Sequence, residues 1–288
     1  EWVVASNLWV NSGWQCYDRF NNSQGDPDVV LAAARTAAAT FGLGPNATGG
    51  PLSIHWYEWQ CGFGDECNDP ATDHRFKFDT QYPDYFPPRR GNAHFKSVTT
   101  ALRAAGVRSV PYINGRIFDQ LSASYAAGGA SSTARVPTSP TFGAMGGAEC
   151  SEFYGSYEIN GSKAVFSVAD PTTDYWQQKY ADVVQRLVVD GGVDGVYIDQ
   201  LAAAAPQLDW TSNRTHNVGG GSWWRDGVAA LVRRARTAVG GTAALVTEGH
   251  SEYIMDVASG FLTIAAFGDA PLVQSLPAAG AMMVPSFP

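Results

Sequence analysis

The chain has 288 residues, 45% of them hydrophobic and 16% charged, enough to bury a large core. Its 27 acids against 19 bases give a formal charge of −8 with no basic cluster, which sets aside nucleic acid and anionic membranes as partners. No apolar run approaches the roughly eighteen residues that span a bilayer.

In chain order, Trp2 to Trp9 reads as a first strand, rich in Val and Trp. Asp26 at the N-cap and Pro27 in the first turn then open an Ala-rich helix that runs to Phe41. Leu52 to Trp56 is a second strand, followed by a long loop through Pro88. A helix from Phe95 to Ala105 is stopped by Gly106, and Val107 to Ile113 is a third strand. Residues 115–168, rich in Gly, Ser, Ala and Pro, form an excursion expected to fold over the mouth of the sheet. Tyr175 to Val189 has apolar positions at Trp176, Tyr180, Val183, Val184 and Leu187, a helical period.

The fourth strand, Gly195 to Asp199, and the fifth, ending at Glu248, are short apolar runs of the kind buried on both faces of a parallel sheet. An amphipathic helix, Trp223 to Val239, joins them. Phe261 to Ile264, Pro271 to Val273 and Met282 to Pro285 are candidates for strands six, seven and eight. Strands alternating with helices predict a single domain over residues 1–288, a (β/α)8 TIM-type barrel irregular or truncated at its C-terminal end. A partner chain or a further segment is expected to complete it.

Four sequons (Asn21, Asn46, Asn160 and Asn213) stand beside an even count of four cysteines, which points to a secreted or cell-surface glycoprotein. The first residue is Glu1 rather than Met, as expected of a processed precursor or a piece of a longer chain. Cys16, Cys61, Cys67 and Cys150 allow three disulfide pairings. Cys61 and Cys67 close a short Gly-rich loop, which favours Cys61–Cys67 with Cys16–Cys150. The cysteines lack CxxC spacing, so no zinc site is expected from them.

Acids at the C-terminal ends of consecutive strands are how a barrel builds an active site. Asp199 and Glu248 hold those positions. Hydrolysis of a glycosidic bond needs two carboxyl groups flanking that bond, one ionised and one protonated. Asp199, which Arg116 could hold ionised, is assigned the nucleophile. Glu248, one methylene longer and among apolar residues, is assigned the acid/base. The other strand ends and following loops supply Trp9, His55, Tyr57, Glu58, Trp59, Tyr112, Asn114, Arg116, Asp119, Gln200, His216, Trp223 and Glu252. Such rings, acids and amides suit a sugar, whose apolar face stacks and whose hydroxyls hydrogen-bond.

Other chemistries lack their residues. There is no GxSxG elbow, and no GxGxxG follows a strand. Gly219-Gly220-Gly221-Ser222 before a helix could cradle an anion, but a loop needing glycine conformations is the better reading. The acidic loop around Asp65, Glu66, Asp69 and Asp73 fits no calcium motif. His55 and His216 read as hydrogen-bonded site or core residues. No cofactor or metal is called for.

Several segments together resemble a known family. They are Asn11-Ser12-Gly13-Trp14-Gln15-Cys16, His55-Trp56-Tyr57-Glu58-Trp59, Asp79-Thr80-Gln81-Tyr82-Pro83, Pro111-Tyr112-Ile113-Asn114-Gly115-Arg116, Asp194 to Gln200 and Thr247-Glu248-Gly249. In this order they are similar to an uncharacterised family of secreted barrel proteins related to glycoside hydrolases. An Asp ending strand four and a Glu ending strand five also resemble the α-amylase-like clan, which implies Asp199 as nucleophile and Glu248 as acid/base. No acid matching that clan's strand-seven Asp is evident. The expected function is a glycosidase, retaining, acting on a polysaccharide or glycan. Its rivals are a non-catalytic glycan-binding or structural glycoprotein and, behind that, a sugar lyase or transferase on the same barrel.

Overall fold

Short strands buried along their whole length must be covered on both faces, and here helices alternate with parallel strands to do so. The computed structural model describes residues 8–12, 27–42, 52–56, 59, 82–88, 91–120, 122–127, 151–159, 162–203, 208–210, 212, 214–241, 243–249, 251–264 and 282–286. The elements in order are β1 (Leu8–Ser12), α1 (Pro27–Phe41), β2 (Leu52–Trp56), α2 (Asn92–Ala104), β3 (Val107–Asn114), β4 (Ile117–Asp119) and a single turn, α3 (Ala123–Ala126). There follow β5 (Ser151–Ile159), β6 (Ser162–Val168), α4 (Asp174–Val189), β7 (Gly195–Asp199), α5 (Trp223–Val239), β8 (Ala244–Glu248), β9 (Gly260–Ile264) and β10 (Met282–Ser286). None of the described helices is long and apolar enough to cross a membrane.

Seven strands pair in the order β1-β2-β3-β7-β8-β9-β10, every pair parallel. The sheet curls, so that Cα atoms of its edge strands β1 and β10 come within 8 Å of one another. The result is a mixed α/β fold with a curled parallel half-barrel. Among the described residues β9 pairs directly with β10, and the strand expected at Pro271 to Val273 lies outside them. Of the strand expected from Trp2 to Trp9, residues 2–7 lie outside the described residues, and the described β1 has Leu8 in register opposite Leu52.

The excursion contains ordered structure rather than loop alone. β4, β6 and β5 form a separate three-stranded antiparallel sheet. Ile117 lies opposite Val168 in this sheet, and the Ala169 amide donates to the Arg116 carbonyl at 2.7 Å.

The two helices next to β7 bury the faces that their periodicity predicts. In α4 these are Trp176, Tyr180, Ala181, Val183, Val184 and Leu187; Thr173 caps its N-terminus by accepting from the Trp176 amide. α5 buries Trp224, Val228, Leu231, Val232 and Ala235, while Arg233 reaches outward to Asp256. Gly227 is a point of close approach: a Cβ there would lie 2.8 Å from Thr172 Cγ2 and 2.9 Å from the Pro171 backbone. At the N-terminal edge of the sheet, Asp194 ties β3 to β7 by accepting from the Ser109 amide, Arg103 and Arg108.

Candidate functional site

Parallel register brings particular side chains together at the C-terminal edge. Tyr112 lies opposite Tyr197, and Asn114 opposite Asp199. Side chains alternate along a strand, so these four share one face. Ile198 lies opposite Thr247, and the next step along both strands carries Asp199 and Glu248. The two acids are therefore neighbours across β7 and β8.

Asp199 is almost buried, at 9% exposure. Its Oδ1 accepts from the Tyr197 hydroxyl at 3.0 Å, and its Oδ2 accepts from the Tyr112 hydroxyl at 2.8 Å and Asn114 Nδ2 at 3.5 Å. The Asn114 amide is oriented unambiguously, since its Oδ1 accepts the Arg116 and Ile117 amides at 2.9 and 3.1 Å. The Tyr112 hydroxyl also accepts from Asn114 Nδ2 and from the Tyr82 hydroxyl. Tyr85 steadies this edge of β3 by accepting the Asn114 amide at 2.7 Å. A carboxylate with donors on both oxygens is held in one rotamer, as a nucleophile requires.

Glu248 is half-buried and accepts the Gln200 backbone amide on Oε2 at 3.1 Å. Gln200 stands at φ 56°, the one described non-glycine residue in the left-handed region. Its side chain accepts from Arg116 Nη2 at 3.0 Å. Arg116 thus reaches Gln200, beside Asp199, in addition to lying on the loop after β3. Gly115 is required by close approach, because a Cβ would lie 2.8 Å from Ile198 Cγ2. Its amide donates to the Asp199 carbonyl at 3.0 Å, and its carbonyl accepts Trp176 Nε1 at 2.9 Å.

His55 packs edge-on against Tyr197, with ring centroids 4.0 Å apart, and burial lowers its pKa to about 3. It is a neutral imidazole at physiological pH. Burial also raises the pKa of the Tyr180 hydroxyl well above the phenol range, with the Asp199 charge adding to the effect.

The other candidates go elsewhere. Trp59 is fully buried against Tyr85, Phe86 and Phe95 and donates to the Tyr112 carbonyl at 2.7 Å, so its ring belongs to the core instead of facing a ligand. Asp119 is buried in the antiparallel sheet, and Glu252 is exposed on a 3-10 turn after β8. Trp223 is buried and stacks on His216 at 4.4 Å. Trp9 falls on β1 opposite Ser53. Tyr57, Glu58, the four sequon asparagines and all four cysteines lie outside the described residues.

Two sets of residues escaped the sequence. Tyr197 is two positions before Asp199 and so shares its face, a signal available in the strand period. Asp170 and Asp209 converge on His216, with one ligand atom from each within 4.8 Å of the others, and could hold a metal ion. No sequence spacing announces that group.

Comparison with known proteins agrees with the fold. A family model described as "Domain of unknown function (DUF6259)" matches residues 1–288. A Monosiga brevicollis protein named "Putative glycoside hydrolase" is 47% identical over 282 residues, 96% of this chain and 22% of its own length. A Bacteroides thetaiotaomicron protein of the same name is 26% identical over 262 residues, 89% of this chain and 31% of its own. The chain therefore spans less than a third of the length of either relative. Among solved structures, the α-N-acetylgalactosaminidase NagBb of Bifidobacterium bifidum, in complex with Gal-NHAc-DNJ, superposes with a TM-score of 0.62 at 12% identity. That match covers 91% of this chain and 37% of the other. The α-galactosidase of Thermus thermophilus bound to stachyose gives 0.50 at 15% identity, over 89% and 43%.

Proposed function

This chain belongs to the DUF6259 family, and on that footing we propose that it is the part of a longer glycoside hydrolase that carries both reacting carboxyl groups. The observation that carries this is the pairing of Asp199 and Glu248 at adjacent strand ends, joined through the Gln200 amide. Asp199, fixed by Tyr112, Tyr197 and Asn114, acts as nucleophile at the anomeric carbon. Glu248, more exposed and held at one oxygen, protonates the leaving oxygen and then activates water. This is retaining chemistry. A complete (β/α)8 ring is part of the proposal, supported by seven parallel strands and the approach of β1 to β10. So is export from the cell, supported by four sequons and four cysteines.

The names of the relatives favour a carbohydrate substrate, and the fold neighbours suggest α-N-acetylgalactosaminides and α-galactosides as the first to try. The intact protein is assayed on a panel of α- and β-glycosides and polysaccharides, with Asp199→Asn and Glu248→Gln beside it. Both variants should fold and lose at least a thousandfold in turnover, and the wild-type product should keep its anomeric configuration. Full activity in either variant defeats the assignment of roles. Glycan binding without turnover across the panel favours the rival, a carbohydrate-binding glycoprotein.

A further inference from the structure

Away from Asp199 and Glu248, four charged side chains converge where the β6–α4 junction meets the loop between β7 and α5. Asp170 and Asp209 are fully buried, and the side chains of Arg214 and His216 are 7% and 8% exposed. Arg214 Nε lies 3.2 Å from Asp170 Oδ2 and 3.3 Å from Asp209 Oδ2. It carries one proton, and its hydrogen bond goes to Asp209. Asp170 Oδ1 accepts from the amide and hydroxyl of Thr172, at 2.8 and 2.7 Å. Asp170 Oδ2 is buried with no hydrogen bond from any described residue.

His216 completes the arrangement. Its Nδ1 lies 3.0 Å from the Asn217 carbonyl, which can only accept, so Nδ1 bears the proton there. In the neutral ring Nε2 then presents a lone pair. Nε2 is buried, makes no hydrogen bond to a described residue, and lies 3.3 Å from Asp209 Oδ2 and 3.7 Å from Asp170 Oδ2. Three lone-pair donors thus face one another.

We propose that Asp170 Oδ2, Asp209 Oδ2 and His216 Nε2 bind a divalent transition-metal ion of the zinc class. Ligands about 2.0–2.1 Å from a tetrahedral ion stand about 3.3–3.4 Å apart. The His216–Asp209 separation of 3.3 Å matches this, and the His216–Asp170 separation of 3.7 Å would shorten by a few tenths of an ångström on binding. A proton shared between His216 and a carboxylate would instead draw them to about 2.7–2.9 Å along the N–H axis. The outer partners are those of a metal site: Nδ1–H is held by a carbonyl, Asp170 is held by Thr172, and Trp223 stacks on the imidazole. An imidazole in the set selects zinc over calcium or magnesium. A water completes the tetrahedron, and His216 also borders a surface cavity of about 440 Å³ with Thr172, Gly220 and Trp223. The ion staples the loop after Asp199, already closed by the Asp209–Gly219 bridge, to the end of the antiparallel sheet. Its role is structural and independent of the glycosidase proposal.

The test uses the intact protein stripped with chelator and titrated with Co²⁺, then Zn²⁺, read by visible absorption and thermal unfolding. One Co²⁺ per chain should give a tetrahedral d–d spectrum that Zn²⁺ abolishes, and Zn²⁺ but not Mg²⁺ or Ca²⁺ should raise Tm. His216→Gln should weaken binding at least tenfold, and His216→Cys should restore it with a thiolate-shifted spectrum. His216→Gln and His216→Cys touch the most accessible ligand and keep the result readable if Asp209→Asn does not fold. Absence of both the spectrum and the Zn²⁺-dependent stabilisation overturns the proposal and leaves a closed ion-pair cluster centred on Arg214. Wild-type affinity in His216→Gln overturns it equally.

Discussion

Gln200 donates its backbone amide to Glu248 Oε2 at 3.1 Å, so the residue that follows one carboxylate in sequence holds the other in place. The geometry depends on a left-handed backbone at φ 56°, which for a residue with a Cβ costs about 1–2 kcal/mol. Arg116, bonded to the Gln200 side chain, offsets part of that cost. Gln200→Gly should therefore keep or raise Tm while lowering kcat about tenfold, because the amide stays but the Arg116 tether is lost. Arg116→Ala should lower kcat by a similar factor, and the double variant should be no worse than either single one. Additive losses in kcat, or losses confined to KM, would show that Arg116 and Gln200 act separately.

Tyr197 and Tyr112 each give Asp199 a hydroxyl donor on a different oxygen. Hydrogen bonds to a charged group contribute about 1.5–3 kcal/mol, or roughly ten- to a hundredfold in rate where the charge matters to the reaction. Tyr197→Phe removes a single such bond and should lower kcat about tenfold with a small change in Tm. Tyr112→Phe also strips an acceptor from Asn114 and Tyr82, so it should cost stability as well. In an Asp199→Asn background neither change should lower activity further. A Tyr197→Phe enzyme with wild-type kcat would remove that hydroxyl from the mechanism.

The elements legible in the sequence were those whose pattern is local. β7 spans Gly195–Asp199 and α5 spans Trp223–Val239, as their apolar run and helical period require. The Val- and Trp-rich run from Trp2 to Trp9 signals β1 but not its register, which only pairing with β2 sets. β5 and β6 lie in a Gly- and Ser-rich stretch whose composition reads as loop. The dipeptide Asn160-Gly161 between them is a hairpin signal that also fits the sequon pattern. The convergence of Asp170 on Asp209 and His216 is tertiary and left no trace in spacing.

Asp194 belongs to the same sequence motif as Asp199 yet sits at the opposite end of β7, where acids serve stability. It accepts from Arg103 at 2.9 Å, Arg108 at 3.1 Å and the Ser109 amide at 3.1 Å. Arg103 is nearly half exposed and can rehydrate, whereas Arg108 is only 28% exposed, so Asp194→Ala orphans the Ser109 amide and removes the Arg108 partner, at a cost of about 2–3 kcal/mol. Arg103→Ala should cost less than 1 kcal/mol. Denaturant unfolding should show this order, with kcat of the folded enzyme unchanged in both. A kcat loss in Asp194→Ala comparable to that of Asp199→Asn would contradict a structural role.

His55 should make the fold sensitive to acid well before the carboxylates titrate. Burial lowers its pKa from 6.5 to about 3. Between those values the unfolded chain binds a proton that the folded chain refuses, so stability rises with pH across the window. It is full above pH 6.5 and is lost as pH falls, at up to about 1.4 kcal/mol per pH unit. From pH 6.5 to 5, above the range where most carboxylates protonate, the loss from His55 should approach about 2 kcal/mol. Urea unfolding at pH 7 and pH 5 measures it directly. His55→Gln removes the titrating group and should flatten the dependence by that amount, although it lowers stability at pH 7 by disturbing the contact with Tyr197. Equal pH slopes in wild type and His55→Gln would mean that His55 reaches solvent and takes up its proton in the folded state.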